Sequence, residues 1–221
     1  MRTSPAFLEA TQTAYDTFAA DYAEQTQDWL KAAPFDRAMV STFVDLVLPA
    51  GGPVADIGCG PGHLTASLAT AGLDVSGVDL SPAMIDLART YHPELSFEVG
   101  TMTGLTHADG SLSGLISMYS IMHIPTDDLA GVFAEYHRVL APGGVVLLAY
   151  LTGDHLLHRT EAFGRAIALD YHLRPLPPVV ERLVGVGFDP IAQARREPQD
   201  DETIPRAYVL ARKPAAGGLR E

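Results

Sequence analysis

The chain has 221 residues, of which 47% are hydrophobic, and carries a formal net charge of −12. This length suits one large α/β domain or two small ones, and the negative charge disfavours a nucleic-acid substrate because phosphate backbones are repelled. No window approaches about 18 uninterrupted apolar residues, so we expect no membrane span. The N-terminus resembles neither a signal nor a transit peptide. The single cysteine, Cys59, excludes an internal disulfide, and we expect a cytoplasmic protein.

Helical spacing predicts two helices at the start of the chain, over residues 11–27 and 34–48. Strands and helices then alternate, which favours a mostly parallel sheet covered on both faces. The first five predicted strands are GPVADIGCG, LDVSGVDLS, LSFEVG, LSGLISMYS and VVLLAYL. An irregular stretch, the helix PPVVERLVGVGF and a hairpin of DPIAQARRE with PRAYVLARKP follow.

The helices between these strands carry recognisable start and stop signals. HLTASLATAG is expected to end at Gly72, a typical residue for a helix C-terminus. SPAMIDLARTYH has Ser81 as N-cap and Pro82 at the first helical position. The third helix is expected to begin near Thr126 and to stop before Pro142.

Three glycines, Gly58, Gly60 and Gly62, follow the first predicted strand directly. Such glycines typically let a ligand approach the backbone closely. The dinucleotide fingerprint does not fit, because His63 stands where its third glycine belongs. Asp56, two residues before the first glycine, would repel a pyrophosphate and attract an ammonium group. A plain strand–helix turn with Asp56 as a buried structural acid is the alternative.

Asp79 closes the second predicted strand, where an acid can accept hydrogen bonds from ribose hydroxyls. Its alternative role is to cap the helix that begins at Ser81. A ligand that combines a ribose with an ammonium group fits both this acid and Asp56. S-Adenosylmethionine has these parts.

Together the motifs resemble those of the class I S-adenosylmethionine-dependent methyltransferases, over about residues 15–214. VADIGCGPGHL resembles the family's first motif, GVDLSPAMIDLAR its second, and APGGVVLLAY the turn and fifth strand. YDTFAADYAEQ is similar to the helix that covers the cofactor in small-molecule members. The resemblance implies a Rossmann-like fold, with a seven-stranded, mostly parallel sheet, an antiparallel last strand and helices on both faces.

The resemblance also implies a domain organisation and a cofactor. Residues 1–50 would form a helical cap over the cofactor, residues 51–214 the methyltransferase domain, and residues 215–221 a flexible tail. Residues 151–180 would form a lid over the methyl acceptor. The cofactor would be S-adenosylmethionine, and the product S-adenosylhomocysteine.

The implied cofactor contacts come from the first helix, the glycine loop and the ends of the strands. Asp79 would bind the ribose and Met84 would pack near the adenine. The family often has an acid after strand three for the adenine amino group, whereas Thr101 and Met102 stand there in this chain. The implied cofactor-binding residues are Tyr15, Tyr22, Asp56, Gly58, Cys59, Gly60, Gly62, Asp79, Leu80, Met84, Thr101, Met102 and Ser120. Tyr15 and Tyr22 also suit a core role, since they share one helical face.

Methyl transfer from a sulfonium is an in-line displacement, so the protein mainly aligns the reactants and excludes water. A base helps when the acceptor is a hydroxyl or a protonated nitrogen. The family's usual position for such groups follows strand four, where SMYSIMHIP makes His123 the favoured base and Tyr119 the second catalytic candidate. His123 packed as a structural residue before Pro125 is the alternative.

The predicted lid supplies the candidate substrate-binding residues His155, Arg165, Tyr171 and His172. The spacing of His155 and His158 lacks the carboxylate or cysteine partners of a known site, so we expect no metal.

The leading interpretation is methylation of oxygen, nitrogen or carbon on a small molecule, such as a specialised metabolite. A nicotinamide-dependent oxidoreductase and a catalytically silent S-adenosylmethionine-binding protein are the alternatives. The glycine spacing and Asp56 argue against the oxidoreductase. We expect a monomer or homodimer that binds neither nucleic acid nor membrane, and the sequence does not identify the acceptor.

Overall fold

The structure is a computed structural model that describes residues 6–200 and 202–215. Residues 216–221 of the predicted tail lie outside the described residues. The helices are α1 (Ala6–Thr26), α2 (Trp29–Ala32), α3 (Pro34–Val47), α4 (His63–Thr70), α5 (Pro82–Tyr91), α6 (Leu129–Val139) and α7 (Leu176–Gly185). The strands are β1 (Pro53–Ile57), β2 (Asp74–Asp79), β3 (Ser96–Val99), β4 (Leu112–Met118), β5 (Leu140–Leu151), β6 (Leu156–Ala162), β7 (Arg165–His172), β8 (Asp189–Arg196) and β9 (Arg206–Arg212). Short 3₁₀ turns lie at Leu48–Ala50 and Ile121–His123.

Seven strands form the main sheet, in the order β3-β2-β1-β4-β5-β9-β8. Strands β1 to β5 pair in parallel with their neighbours, whereas β9 pairs antiparallel with both β5 and β8. Within this described sheet, β9 alone is therefore reversed. The predicted seven-stranded, mostly parallel sheet with an antiparallel last strand is confirmed.

Helices bury apolar side chains on both faces of the sheet. Phe133 of α6 and Leu183 of α7 pack into one cluster with the inner residues of β4, β5 and β9. Phe43 of α3 and Leu68 of α4 pack into a second cluster on the other face. Each such side chain contributes about 1.5–3 kcal/mol on burial. The sheet is thus held rigidly, and its strand ends are fixed in position. No helix among the described residues is long and apolar enough to cross a membrane.

The helix signals of the sequence act largely as predicted. Ser81 caps α5, because its Oγ accepts a hydrogen bond from the Met84 amide at 3.1 Å. Gly72 follows α4 with a φ of 96°. Helix α6 begins at Leu129, later than the start predicted near Thr126, and the intervening residues form a turn after Pro125.

Two regions differ from the sequence prediction. Helix α1 begins at Ala6 and kinks at Phe18, which has non-helical backbone angles. The stretch predicted to be irregular contains the antiparallel hairpin of β6 and β7. The residues Ile167, Leu169 and Tyr171 alternate along β7 and pack with α1. This alternation is typical of a strand. The apolar face of β7 is buried by α1 and not by the main sheet.

Candidate active site

The glycine loop between β1 and α4 forms a tight turn at the carboxyl end of β1. Gly58 and Gly60 have φ values of 79° and 53°, a region that L-residues with a Cβ adopt only under strain. A Cβ on Gly58 would lie 2.5 Å from Cβ of Ser120. Gly58 therefore lets the loop pack directly against the residues that follow β4.

We expect Gly58→Ala to lower the free energy of unfolding by about 2–3 kcal/mol, from left-handed strain and crowding against Ser120. Urea unfolding would measure the loss. Gly131→Ala is the matched control, because Gly131 lies in α6 with no atom within 4 Å of an added Cβ. That change should be neutral or stabilise the protein by up to about 1 kcal/mol. Equal stability of the Gly58 variant and the wild type would contradict this reading of the loop.

Asp79 ends β2 beside this loop, with both carboxylate oxygens engaged by backbone amides. Gly60 N–H donates to Oδ2 and Ser81 N–H donates to Oδ1, each at 2.8 Å. Loss of hydration raises the pKa of Asp79, and these amides oppose that rise. Each oxygen keeps a second lone pair. The carboxylate is therefore oriented and still able to accept hydrogen bonds from a ligand.

A first cavity, of about 80 Å³, lies between α1 and the carboxyl ends of the strands. The rings of Tyr15 and Tyr22 on α1 help to wall it and meet edge-on, with centroids 5.7 Å apart. The predicted site residues that line it are Tyr15, Tyr22, Gly58, Gly60, Asp79, Leu80, Met84, Thr101, Met102, Tyr119, Ser120 and His123. Nearly the whole predicted cofactor set is thus brought together.

A second cavity, of about 420 Å³, lies on the other side of the glycine loop. It shares Tyr22, Gly58, Gly60, Met118 and Tyr119 with the first cavity, so the two chambers adjoin. The predicted residues Asp56 and Cys59 line this second cavity, and Gly62 lines neither. Both chambers lie beyond the carboxyl ends of parallel strands, where sheets of this kind bind ligands.

Asp56 is 1% exposed and accepts a hydrogen bond from Thr65 Oγ1 at 2.7 Å. Burial raises its pKa to about 7, and the bond from Thr65 opposes that rise. Near neutral pH this carboxyl is therefore present in both its protonated and its ionised form. A cationic group placed beside it would favour the ionised form.

His123 lies in the 3₁₀ turn after β4, with both ring nitrogens engaged. Its Nδ1 lies 3.0 Å from the carbonyl oxygen of Asp170, so Nδ1 carries the proton. Nε2 then accepts a hydrogen bond from the Tyr15 hydroxyl at 2.9 Å. Burial lowers the pKa of His123 to about 4, so the ring is neutral at physiological pH. The basic nitrogen is thus occupied by Tyr15 in this conformation.

Tyr119, directly after β4, has a φ of 55° and lines both cavities. Its hydroxyl donates to Asp36 Oδ1 and lies 3.2 Å from the Tyr208 hydroxyl. Tyr208 on β9 also donates to Asp36 Oδ1, at 3.2 Å. Burial, followed by the nearby Asp36 charge, raises the pKa of Tyr119. Tyr119 is therefore a hydrogen-bond donor here and not a base.

Asp36 and Tyr208 were not among the residues predicted from the sequence. Asp36 lies on α3, four residues before Val40 and on the same buried side of the helix. An acid within an apolar helical stripe was the available signal, because a buried carboxylate needs partners or a function. Tyr208 carried no comparable signal, since it sits among the apolar residues of a central strand.

The four predicted substrate-binding residues of the lid, His155, Arg165, Tyr171 and His172, do not line either cavity, whereas Leu151 at the start of the predicted lid lines the second. Arg165 forms an ion pair of 2.7 Å with Asp21 of α1, and Tyr171 packs against His123 with ring centroids 4.8 Å apart. His155 lines a separate surface groove, and His172 ends β7 without lining either chamber. In this structure the hairpin therefore buttresses α1 and His123. Across residues 6–200 and 202–215, no group of three or more His, Cys, Asp or Glu side chains could hold a metal ion.

Comparison with known proteins finds similar methyltransferases. A family model described as a methyltransferase domain matches residues 54–144. A ubiquinone biosynthesis O-methyltransferase from Xanthomonas oryzae pv. oryzae is 32% identical over 188 residues, which cover 79% of this chain and 74% of that protein. A demethylmenaquinone methyltransferase from Renibacterium salmoninarum is 30% identical over 132 residues, which cover 60% of this chain. The chain spans about half the length of that relative, 53%.

The structure of the DhpI complex with S-adenosylhomocysteine shares the fold, with a TM-score of 0.71 and 21% identity. The match covers 96% of this chain and 99% of that chain. The identity to the Xanthomonas O-methyltransferase extends over most of that protein, and the strand order and glycine loop of this chain agree with the same family. The chain therefore belongs to the class I S-adenosylmethionine-dependent methyltransferases.

Proposed function

We propose that this chain binds S-adenosylmethionine across the two cavities and transfers its methyl group to a small molecule in the second cavity. The observation that carries the proposal is Asp79, whose carboxylate the amides of Gly60 and Ser81 hold at the edge of the first cavity. This arrangement suits the two hydroxyls of a ribose. A site for a nicotinamide dinucleotide would also use an acid that binds the ribose, but it requires a glycine spacing that this chain lacks.

The remaining groups complement the other parts of the cofactor. Met84, Thr101 and Met102 line the first cavity, where the adenine would lie. The methionine end would cross the glycine loop at the junction of the two chambers. Asp56 borders that junction on the second side, where its ionised form would attract the ammonium group.

The bound cofactor supplies an activated methyl group on a sulfonium. The chain aligns this methyl with the acceptor and excludes water, which is the main requirement of an in-line displacement. Tyr15 and Tyr22 close the first cavity from α1. We assign His123 to positioning Tyr15, because its basic nitrogen accepts the Tyr15 hydroxyl and burial lowers its pKa.

The names of the relatives suggest which acceptors to try first. The similar proteins from Xanthomonas and Renibacterium are named for ubiquinone biosynthesis and for demethylmenaquinone. Hydroxylated aromatic rings related to quinones are therefore the first acceptor class to screen.

Parallel calorimetric titrations with S-adenosylmethionine, S-adenosylhomocysteine and NAD test the cofactor. We expect micromolar binding of the first two and none of NAD. Binding of NAD alone would restore the oxidoreductase alternative. Binding of the methyl donor without methylation of any acceptor would favour a silent binding protein.

We expect Asp79→Ala to weaken cofactor binding by about 1–3 kcal/mol, or roughly 5- to 150-fold in dissociation constant, because a ribose acceptor is lost. Calorimetry with S-adenosylhomocysteine would measure this. Asp74→Ala is the matched control, since Asp74 is exposed at the opposite end of β2. A folded Asp79 variant with wild-type affinity would refute the ribose role.

A further inference from the structure

We propose that Asp36 accepts the proton from a phenolic methyl acceptor bound in the second cavity. This inference rests on the proposed function and names the acceptor class and the base for that same site. Asp36 is 2% exposed and lines the second cavity together with Trp29 and Tyr119. It is a carboxylate brought to the carboxyl edge of the sheet by α3, and no step assigned above uses it.

The hydrogen bonds of Asp36 leave one carboxylate oxygen for a ligand. Tyr119 and Tyr208 both donate their phenolic hydroxyls to Oδ1. Among the hydrogen bonds of the described residues, none is made to Oδ2. Two phenolic hydroxyls of the cavity wall thus donate to Oδ1 of Asp36. A phenolic hydroxyl of a ligand can donate to Oδ2 in the same way.

The shape of the wall favours an aromatic ring. Trp29 meets Tyr119 edge-on, with ring centroids 6.0 Å apart, and both line the second cavity. Aromatic side chains of this kind pack favourably against the planar ring of a ligand. Trp29 is the single tryptophan of the chain, so its fluorescence reports on this wall.

Two guanidinium groups of the cavity wall act on the Asp36 carboxylate. Arg196 and Arg206 border the cavity and both contact Glu202, at 2.7 and 3.1 Å. The Arg206 guanidinium also lies 5.7 Å from the centre of the Tyr119 ring. The two guanidiniums favour negative charge on Asp36 and on an oxygen bound beside it.

In the proposed step a phenol loses its proton as its oxygen accepts the methyl group. The acceptor O–H bond breaks and its proton passes to Oδ2 of Asp36, while an oxygen lone pair forms the bond to the methyl carbon. The carbon–sulfur bond breaks and its electron pair stays on sulfur. The products are an aryl methyl ether, S-adenosylhomocysteine and protonated Asp36, which returns its proton to water.

The groups that face Asp36 set its basicity. Burial raises its pKa, whereas the hydroxyls of Tyr119 and Tyr208 and the charges of Arg196 and Arg206 lower it. The net direction is upward. Asp36 is therefore a stronger base than an exposed carboxylate, which brings it closer to the pKa that suits proton transfer near neutral pH.

The test compares Asp36→Asn with wild type on catechol and on 4-nitrocatechol, whose hydroxyl ionises far more readily. We expect the variant to bind S-adenosylhomocysteine as wild type does and to methylate catechol on the order of 100-fold more slowly. It should methylate 4-nitrocatechol at close to the wild-type rate, because that acceptor needs no base. Asp45→Asn, at an exposed position on the same helix, is the control and should behave as wild type on both.

Several outcomes would overturn the proposal. Equal losses on both acceptors, or lost S-adenosylhomocysteine binding in the variant, would make Asp36 a structural residue. A wild-type protein that binds S-adenosylhomocysteine yet methylates benzylamine and no phenol would refute the acceptor class. If wild type binds no S-adenosylhomocysteine at all, the proposed function itself fails, which is a separate result.

Tyr208→Phe keeps the proposal testable if Asp36→Asn does not fold. Removing the Tyr208 hydroxyl takes away a hydrogen bond that lowers the pKa of Asp36. The rise of kcat/KM for catechol with pH should then move to higher pH. A profile that stays in place would overturn the assignment of Asp36 as the base.

Discussion

The Asp56→Asn variant should lose most of a pH dependence that wild-type stability shows between about pH 4 and pH 7. In the folded chain the pKa of Asp56 is about 7, against an ordinary value of 3.8. Between these values the folded state holds a proton that the unfolded state has released. Raising the pH therefore favours unfolding across this window, and the stabilising contribution is complete below about pH 4 and lost above about pH 7.

The size of this effect follows from the shift in pKa. Each unit corresponds to about 1.4 kcal/mol, so a shift near three units amounts to roughly 4 kcal/mol across the window. Urea unfolding at several pH values, with the wild-type curve subtracted from that of the variant, isolates the contribution. Asp45→Asn, which removes an exposed carboxylate on α3, should leave the curve unchanged. Parallel curves for wild type and Asp56→Asn would show that Asp56 titrates normally.

Cofactor binding should act on the same carboxyl. An ammonium group beside Asp56 favours the ionised form, so S-adenosylhomocysteine should release protons on binding near pH 7. Calorimetry in two buffers of different ionisation enthalpy would detect this release. Release that persists in Asp56→Asn would have to come from another group.

The part of the site that lies at strand ends was predictable from sequence. Asp79 and the glycine loop follow neighbouring parallel strands, and parallel strands present their carboxyl ends at one edge of the sheet. The contacts of Asp79 are also close at hand. Ser81 lies two residues further along the chain, and Gly60 lies in the loop after the adjacent strand β1. These residues indicated both the fold and the ligand class.

The proposed acceptor side was less predictable because it depends on contacts between residues that are distant in sequence. Asp36 meets Tyr208 across 172 residues of sequence, and no local pattern joins α3 to β9. The predicted lid shows the same difficulty: Arg165 has the composition of a substrate contact, yet it reaches Asp21 of α1. Charge and position in sequence gave no means to distinguish a ligand contact from a contact to another helix.

The largest loss of stability that we expect from a single side chain follows Arg174→Ala. Arg174 is 4% exposed, and its guanidinium donates to the carbonyl oxygens of Ile121 and Ile124 and to Thr126 Oγ1. No ion pair to a carboxylate is found for it among the described residues. Burial lowers its pKa to about 10, so it stays charged at neutral pH. It is held by neutral acceptors alone.

Removing this side chain leaves buried acceptors without a donor, at about 1–3 kcal/mol each, and opens a cavity. We therefore expect a loss of about 4–5 kcal/mol, offset in part because an unpaired buried charge is also removed. Arg182→Ala on α7 is the control, since the side-chain hydrogen bond of Arg182 among the described residues stays within its own helix, to Pro178 O. Because the Arg182 charge opposes that of Arg174, its removal should leave stability unchanged or raise it slightly. Urea unfolding of the two variants would measure the difference.

Arg174 also fixes the turn that carries His123, because Ile121 and Ile124 flank that residue. Arg174→Ala should therefore weaken S-adenosylhomocysteine binding as well as folding, whereas Arg182→Ala should weaken neither. Arg174→Lys keeps the charge but has fewer and less directed donors, so it should lie between wild type and alanine on both measures. If Arg174→Ala and Arg182→Ala had equal free energies of unfolding, removing the buried Arg174 charge would stabilise the protein as much as losing its hydrogen bonds destabilises it. The turn after β4 would then be held by the packing of Ile121 and Ile124 in the core.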